Sequence, residues 1–245
     1  MNFNKLFLVF FLSLTFHGCA FIASRVVPVN DIKSPSGKYE IGTQIFHWID
    51  NTRDEWFSSK EGDKRELMVQ VWYPALKPNE LIDPYPWIDN ANLREEAIME
   101  NFKVPKFVAK AIDRVDTGTY LNSIPILSEK FPIVIFSHGF EGFRSQNTTQ
   151  IQELASNGYI VFALDHTYDA TLTIMSDGRL IPNAKKYCYG CEPDQFYEVF
   201  IPQINTRIDD VRFILNQIEK INNGNIETNF ATALDIENIG VFGHS

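Results

Sequence analysis

Apolar and polar residues alternate along this chain in three rhythms, and each predicts a different kind of element. From about residue 24 to residue 75 the rhythm is mixed. "SPSGKYEIGTQIFHWID" reads as a turn at Ser34–Gly37 followed by a strand. "RELMVQVWYPA" reads as a second strand that starts at Met68 and Val69, runs through Val71 and Tyr73, and ends at Pro74. Polar links between two such segments predict an antiparallel start to a sheet. From Lys77 to Leu127 the pattern changes. Pro78, Pro84 and Pro86 mark a loop, and "NLREEAIMENF" and "VPKFVAKAIDRV" follow. In the second piece Val104, Phe107, Val108, Ala111, Ile112 and Val115 fall on one helical face. That stripe suits packing on a core; it also suits a cap or lipid-facing helix.

The third rhythm is a set of continuous apolar runs. "FPIVIFSHGF" is apolar on both faces until it breaks at His138-Gly139, which places it inside a parallel sheet. "SQNTTQIQELASNG" predicts a helix with Ile151, Leu154 and Ala155 on its apolar side and Gly158 as its stop. "YIVFALDH" predicts a second buried strand, and Thr167–Tyr197 a long irregular stretch. "FIPQINTRIDDVRFILNQIEKINNG" predicts an amphipathic helix whose apolar face carries Ile204, Ile208, Val211, Leu215 and Ile218. "IENIGVFGHS" predicts a third buried strand. Strand, helix, strand, helix, strand means parallel pairing with right-handed crossovers: an α/β class chain with helices on both faces of a mostly parallel sheet.

The first twenty residues follow another logic. Lys5, an apolar run from Leu6 to Phe16 and then small residues make the order of an export signal, too short for a stable membrane span. Gly18-Cys19-Ala20 resembles the end of a bacterial lipoprotein signal, with Cys19 as the lipidated residue; plain secretion or periplasmic release is the alternative. Residues 1–19 are accordingly read as signal, and 24–245 as part of one domain, with 77–127 as its cap or lipid-facing region. Cys188 and Cys191 form "CYGC". No second Cys/His pair lies nearby to complete a zinc site, and in an exported chain a local disulfide is expected. The formal charge of −9 over 245 residues, with no basic block, argues against nucleic-acid binding. Nothing in the sequence implies a cofactor or metal or identifies a protein partner.

The chemistry sits at the strand ends, where open α/β sheets place their sites. These are "SHGFEGFR", "LDHTYD" and "GHS". Gly243-His244-Ser245 after a buried strand matches the first three positions of a G-x-S-x-G turn, which exposes a serine to a base. Ser245 is therefore the expected nucleophile. His138-Gly139-Phe140 lies where an earlier strand–helix loop supplies an oxyanion donor. The backbone N–H of Phe140 is the candidate, with His138 shaping the loop, and losing such a donor typically costs about 3–4 kcal/mol. Arg144 and Arg207 are expected to tie helices to loops, Arg207 through Asp210 on its own helix.

"PIVIFSHGFEGFRSQNT", "ASNGYIVFALDH", "RIDDVRFIL" and "IENIGVFGHS" resemble successive blocks of the platelet-activating-factor acetylhydrolases, secreted α/β-hydrolases related to lipoprotein-associated phospholipases. The likeness runs from about Gly42 to Ser245 and is weaker over 77–125 and 170–200. It implies an α/β-hydrolase-type sheet and metal-free cleavage of short or oxidised sn-2 acyl esters of phospholipids. It also implies contact with a membrane surface, Ser245 as nucleophile and Phe140 as oxyanion residue. The chain departs from the pattern in one respect. The order in this fold is Ser, then Asp or Glu, then His, whereas the histidines stand at 17, 47, 138, 166 and 244. His166, oriented by Asp165 or Asp169, is the one substitute available. The expectation is a sheet cut off after the nucleophile strand, lacking the triad Asp and His. Alone it would be inactive beyond a residual ~10³–10⁴-fold over water, with the last strand left as an open apolar edge. A general carboxylesterase or dienelactone-hydrolase-like enzyme is the second reading. A catalytically dead remnant or lipid-anchored binding protein is the third.

Overall fold

The structure is a computed structural model that describes residues 33–78, 83–106, 115–184 and 192–244. It contains two compact units: one that includes Pro86–Asp116, and a larger one formed by Ser34–Tyr85 with Thr117–Ser245. In the smaller unit, helix α1 (Ala91–Phe102) runs between left-handed residues Asn90 and Lys103, and Arg94 Nη2 holds Asp89 Oδ1 at 3.1 Å. The segment 107–114, which carries most of the expected apolar stripe, lies outside the described residues.

The larger unit is built on a sheet of β1 (Glu40–Asp54), β2 (Lys64–Ala75), β3 (Thr119–Leu121), β4 (Phe131–Ser137), β5 (Ile160–Asp165) and β8 (Leu234–Gly243). Their order is β3-β1-β2-β5-β4-β8. The β1–β2 and β2–β5 pairs are antiparallel, while β1–β3, β4–β5 and β4–β8 are parallel. The expected antiparallel start and parallel centre are both present. Strand β2 begins earlier than the apolar run suggests and passes through Pro74, which pairs with Ile41. Within the stretch expected to be irregular, β6 (Leu172–Ile174) and β7 (Leu180–Pro182) make a small hairpin.

The central strands alternate between two helical layers because successive side chains point to opposite faces. Leu67, Val69 and Val71 of β2, Ile133 and Ile135 of β4, and Phe162 and Leu164 of β5 pack with α3 (Ile201–Asn222) through Phe213, Ile214, Ile218 and Ile221. Trp72, Phe136, Val161 and Ala163 face the other way, onto Ile151 and Ala155 of α2 (Thr148–Ser156). Helix α2 stops at Gly158, whose φ of 93° suits a residue without a Cβ.

Two expectations about the second face of this layer change. The buried residues of α3 are Gln203, Asp210, Phe213, Ile214, Gln217, Ile218 and Ile221. Ile208 is 43% exposed, so the buried face is turned by roughly a quarter turn of the 3.6-residue helix from the apolar stripe. Strand β8 pairs with β4 and is the open apolar edge expected above, with Val241 57% exposed, so it is not covered on both faces as its apolar run alone suggests.

Candidate active site

The register puts Ser137 of β4 opposite Leu164 of β5 and Gly243 of β8, so three parallel strands deliver their C-terminal ends side by side. Beyond β4 the chain makes a tight turn, closed by the Gly142 N–H on the Gly139 carbonyl at 3.0 Å. Glu141 within it has a left-handed φ of 58°, which costs a residue with a Cβ about 1–2 kcal/mol. The neighbouring loop offsets this cost. The Glu141 N–H donates to the Asp169 carbonyl at 3.1 Å, the Thr171 N–H to the Gly142 carbonyl at 2.9 Å, and the Thr171 hydroxyl to the Glu141 carbonyl. Gly139 lies close against the end of β8. A Cβ there would stand 2.8 Å from His244 Nδ1, an exposed ring that can turn aside, and 3.4 Å from the His244 carbonyl oxygen, so the turn and the end of β8 are in near contact.

His138 is fully buried. Its Nδ1–H donates to the Gly139 carbonyl at 2.6 Å, and its Nε2 accepts the His166 N–H at 3.0 Å. Burial, reinforced by the nearby Arg207 charge, holds its pKa down to about 4, so at neutral pH it is an uncharged shaping residue of the turn. His166 is also fully buried. Its Nδ1 lies 2.8 Å from Asp210 Oδ2, and its Nε2 lies 2.8 Å from Ser137 Oγ. A carboxylate can only accept, so Nδ1 carries the hydrogen and Nε2 accepts from the serine hydroxyl. Burial and then Arg207 push His166 well below the ordinary histidine pKa.

The charges around these rings are paired. Asp210 receives Arg65 Nη2 at 2.6 Å, Arg65 Nε at 3.0 Å and Arg53 Nη2 at 3.0 Å. Burial opposes its ionisation, but Arg65 and His166 outweigh that and hold it far below the usual carboxylate range. Arg65 also donates to Glu55 at 2.9 Å and to the Thr167 carbonyl at 2.8 Å. Asp165, fully buried, is bound by the Arg144 guanidinium and, at 2.6 Å, by the Arg144 backbone N–H. Arg207 pairs with Asp169 at 2.5 Å, donates to the His138 carbonyl, and stands 5.0 Å over the Phe140 ring. The expected Arg207–Asp210 pair is therefore replaced: Asp210 turns inward to Arg65 and His166, and Arg207 turns to the loops. For the same reason neither Asp165 nor Asp169 orients His166.

These strand ends open onto a groove of about 530 Å³ lined by Ser137, Phe140, Ile204, Arg207, Val241 and His244, among others. Phe140 is half-buried on its wall, 5.7 Å ring to ring from Phe200. Ser245, Cys19, Cys188 and Cys191 lie outside the described residues. Among the described residues no cluster of His, Cys, Asp and Glu could hold a metal ion.

Ser137, Arg65 and Arg53, and the inward role of Asp210, escaped sequence reasoning, although two signals were available. Arg65 shares the core face of β2 with Leu67, Val69 and Val71 by period two, and a charge there requires a buried partner. Gln203, Asp210 and Gln217 recur every seven residues beside Phe213, Ile214 and Ile221, a polar line on the inner face of a helix.

The strand order, the helices on both faces and the convergence of parallel strand ends define an α/β-hydrolase-type fold. A solved ferulic acid esterase from Streptomyces cinnamoneus matches it with a TM-score of 0.67 and 27% identity, over 88% of this chain and 55% of that one. Residues 26–245 match the family described as platelet-activating factor acetylhydrolase, isoform II, and the chain belongs to that family. It is 32% identical over 102 residues to the platelet-activating factor acetylhydrolase of Cavia porcellus, covering 40% of this chain and 23% of that protein. With the enzyme of Canis lupus familiaris it shares 29% identity over 147 residues, 54% of this chain and 33% of that one. The matched stretch thus spans no more than a third of these relatives' length.

Proposed function

We propose that this protein is a serine carboxylic ester hydrolase acting on short or oxidised sn-2 acyl esters of phospholipids, with Ser245 as nucleophile and the Phe140 N–H as an oxyanion donor. The observation that carries this is the close approach of Gly139 to His244, which brings the Phe140 turn beside the strand end that leads to Ser245. The Ser245 hydroxyl attacks the ester carbonyl, its proton passing to a base. Negative charge collects on the carbonyl oxygen beside the turn. Collapse expels the lysophospholipid alcohol, and water then releases the short acid from the acyl-serine. In the chain order of this fold the acid and base follow the nucleophile, and His166 is already engaged by Ser137 and Asp210.

The family membership and the esterase neighbour support this reading, and the apolar groove suits an acyl chain. The test is hydrolysis of a 2-acetyl phospholipid and of p-nitrophenyl acetate by the product of the whole reading frame, however far it extends past the Ser245 codon. Ser245→Ala is expected to lower kcat at least 10³-fold. Unchanged turnover in that variant would sink the proposal. Equal preference for both esters would favour a general carboxylesterase, the reading to which the ferulic acid esterase likeness points. We further assign residues 1–19 to export, with lipidation at Cys19 placing the protein on a membrane surface, and Cys188–Cys191 to a disulfide. No described helix is long and apolar enough to cross a membrane. Mass spectrometry of the mature N-terminus and of the non-reduced peptide containing both cysteines tests these assignments.

A further inference from the structure

We infer that Asp210, His166 and Ser137 form a positioning relay that sets the register between the Phe140 turn and the end of β8 that leads to Ser245. The inference rests on the ester-hydrolase reading above. Three observations support it. Ser137 is joined to both halves of the site: its hydroxyl donates to His166 Nε2 at 2.8 Å, and its carbonyl accepts the His244 N–H at 3.1 Å. His166 grips the turn a second time, through its own backbone N–H on His138 Nε2 at 3.0 Å. Asp210 fixes the ring from behind at 2.8 Å and is itself locked by Arg65 and Arg53. The relay therefore spans α3, the residue that follows β5, and the end of β4, and terminates at the backbone that faces the groove.

The bond lengths are also those of a nucleophile, base and orienting acid. The surroundings argue against that role. Two arginines neutralise Asp210 and leave little of its charge to stabilise an imidazolium. Arg207, 3.4 Å from Ser137 Oγ, likewise disfavours a positive ring on His166. The ring stays neutral and holds the serine in place. An oxyanion donor works over a narrow range, about 2.7–3.1 Å from the developing charge. A slip of Ser137 by a few tenths of an ångström would move the Phe140 N–H out of it.

The test uses Ser137→Ala, which removes only the hydroxyl, and Ser137→Thr, which keeps one. On the 245-residue chain, Ser137→Ala is expected to shift the Phe140 and His244 amide resonances while the β2 amides stay in place. Ser137→Thr should restore them. On the whole reading-frame product, Ser137→Ala is expected to lower kcat for p-nitrophenyl acetate about tenfold, a fraction of the loss of a full donor, with KM within about twofold. Ser137→Thr should recover most of that rate. Unmoved Phe140 and His244 amides, or equal kcat in the two variants, overturn the relay whatever Ser245 does. Covalent capture of Ser137 by a fluorophosphonate also overturns it, because the serine would then be a nucleophile. Moved and restored amides beside a fully active Ser245→Ala protein would uphold the relay and sink the ester-hydrolase reading alone.

Discussion

The two sides of α3 depart in part from the usual arrangement of a surface helix. The inner side carries Gln203, Asp210 and Gln217 among its apolar residues, all nearly inaccessible. The outer side carries Ile204 and Ile208 on the groove, where Ile208 is 43% exposed. A helix placed by its Ile204, Ile208, Val211, Leu215 and Ile218 stripe alone would sit roughly a quarter turn away. The observed rotation buries Asp210 against Arg65, Arg53 and His166 together with Phe213, Ile214, Ile218 and Ile221, and leaves Ile208 outside. The difference also separates two jobs. The inner polar line fixes the strand ends, and the outer apolar strip borders the cavity in which an acyl chain would lie.

The sharpest way to break this comparison is to remove the inner charge. Asp210→Ala leaves Arg65 buried with only Glu55 as a carboxylate partner and is expected to destabilise the chain by about 3–5 kcal/mol in urea unfolding. A loss below about 1 kcal/mol would show that the network does not set the helix rotation. Paired truncations on the two sides come next. Ile214→Ala, fully buried, should cost about 2–5 kcal/mol. Ile208→Ala should stay within about 0.5 kcal/mol, and equal costs would contradict the observed faces.

A pH titration gives a smaller effect. His138 has a folded pKa of about 4, below its ordinary 6.5, so between these values the unfolded chain binds more protons. Stability is fully present above about pH 6.5 and falls as pH drops toward 4. His166 is shifted in the same direction and adds to the fall. Below about pH 4 the depressed carboxyl of Asp210 takes over, its contribution being lost as pH falls toward its folded pKa. His138→Gln should flatten the Tm profile between pH 6.5 and 4; an unchanged slope would assign the effect elsewhere. The smallest change is expected at the sheet edge. Val241→Lys, on the exposed β8, should leave unfolding within about 0.5 kcal/mol yet reduce light scattering at high concentration, since a charge on an edge strand discourages pairing with another chain. Unchanged scattering would mean this edge does not drive association.

Much of the fold is legible in local pattern. The apolar runs at Phe131–Ser137 and Ile160–Asp165 mark strands covered on both faces, and both are. The turn residues Gly139 and Gly158 sit where the sequence puts a loop and a helix stop. The β6–β7 hairpin was not legible, because its strands are short and its apolar residues do not alternate over enough positions to show a period.

By itself, then, the sequence determined which segments become strands and helices, their parallel order, and the grouping of chemistry at the strand ends. Those features follow from local periodicity and from the handedness of crossovers. Only the tertiary structure decided that Asp210 reaches His166 rather than Arg207, that Asp165 goes to Arg144, and that Ser137 joins the two halves of the site. The physical reason is that a buried charge takes whichever partner the packed backbone brings within about 3 Å. Between Arg65 and Asp210 that partner lies 145 residues away, a separation no local pattern can report.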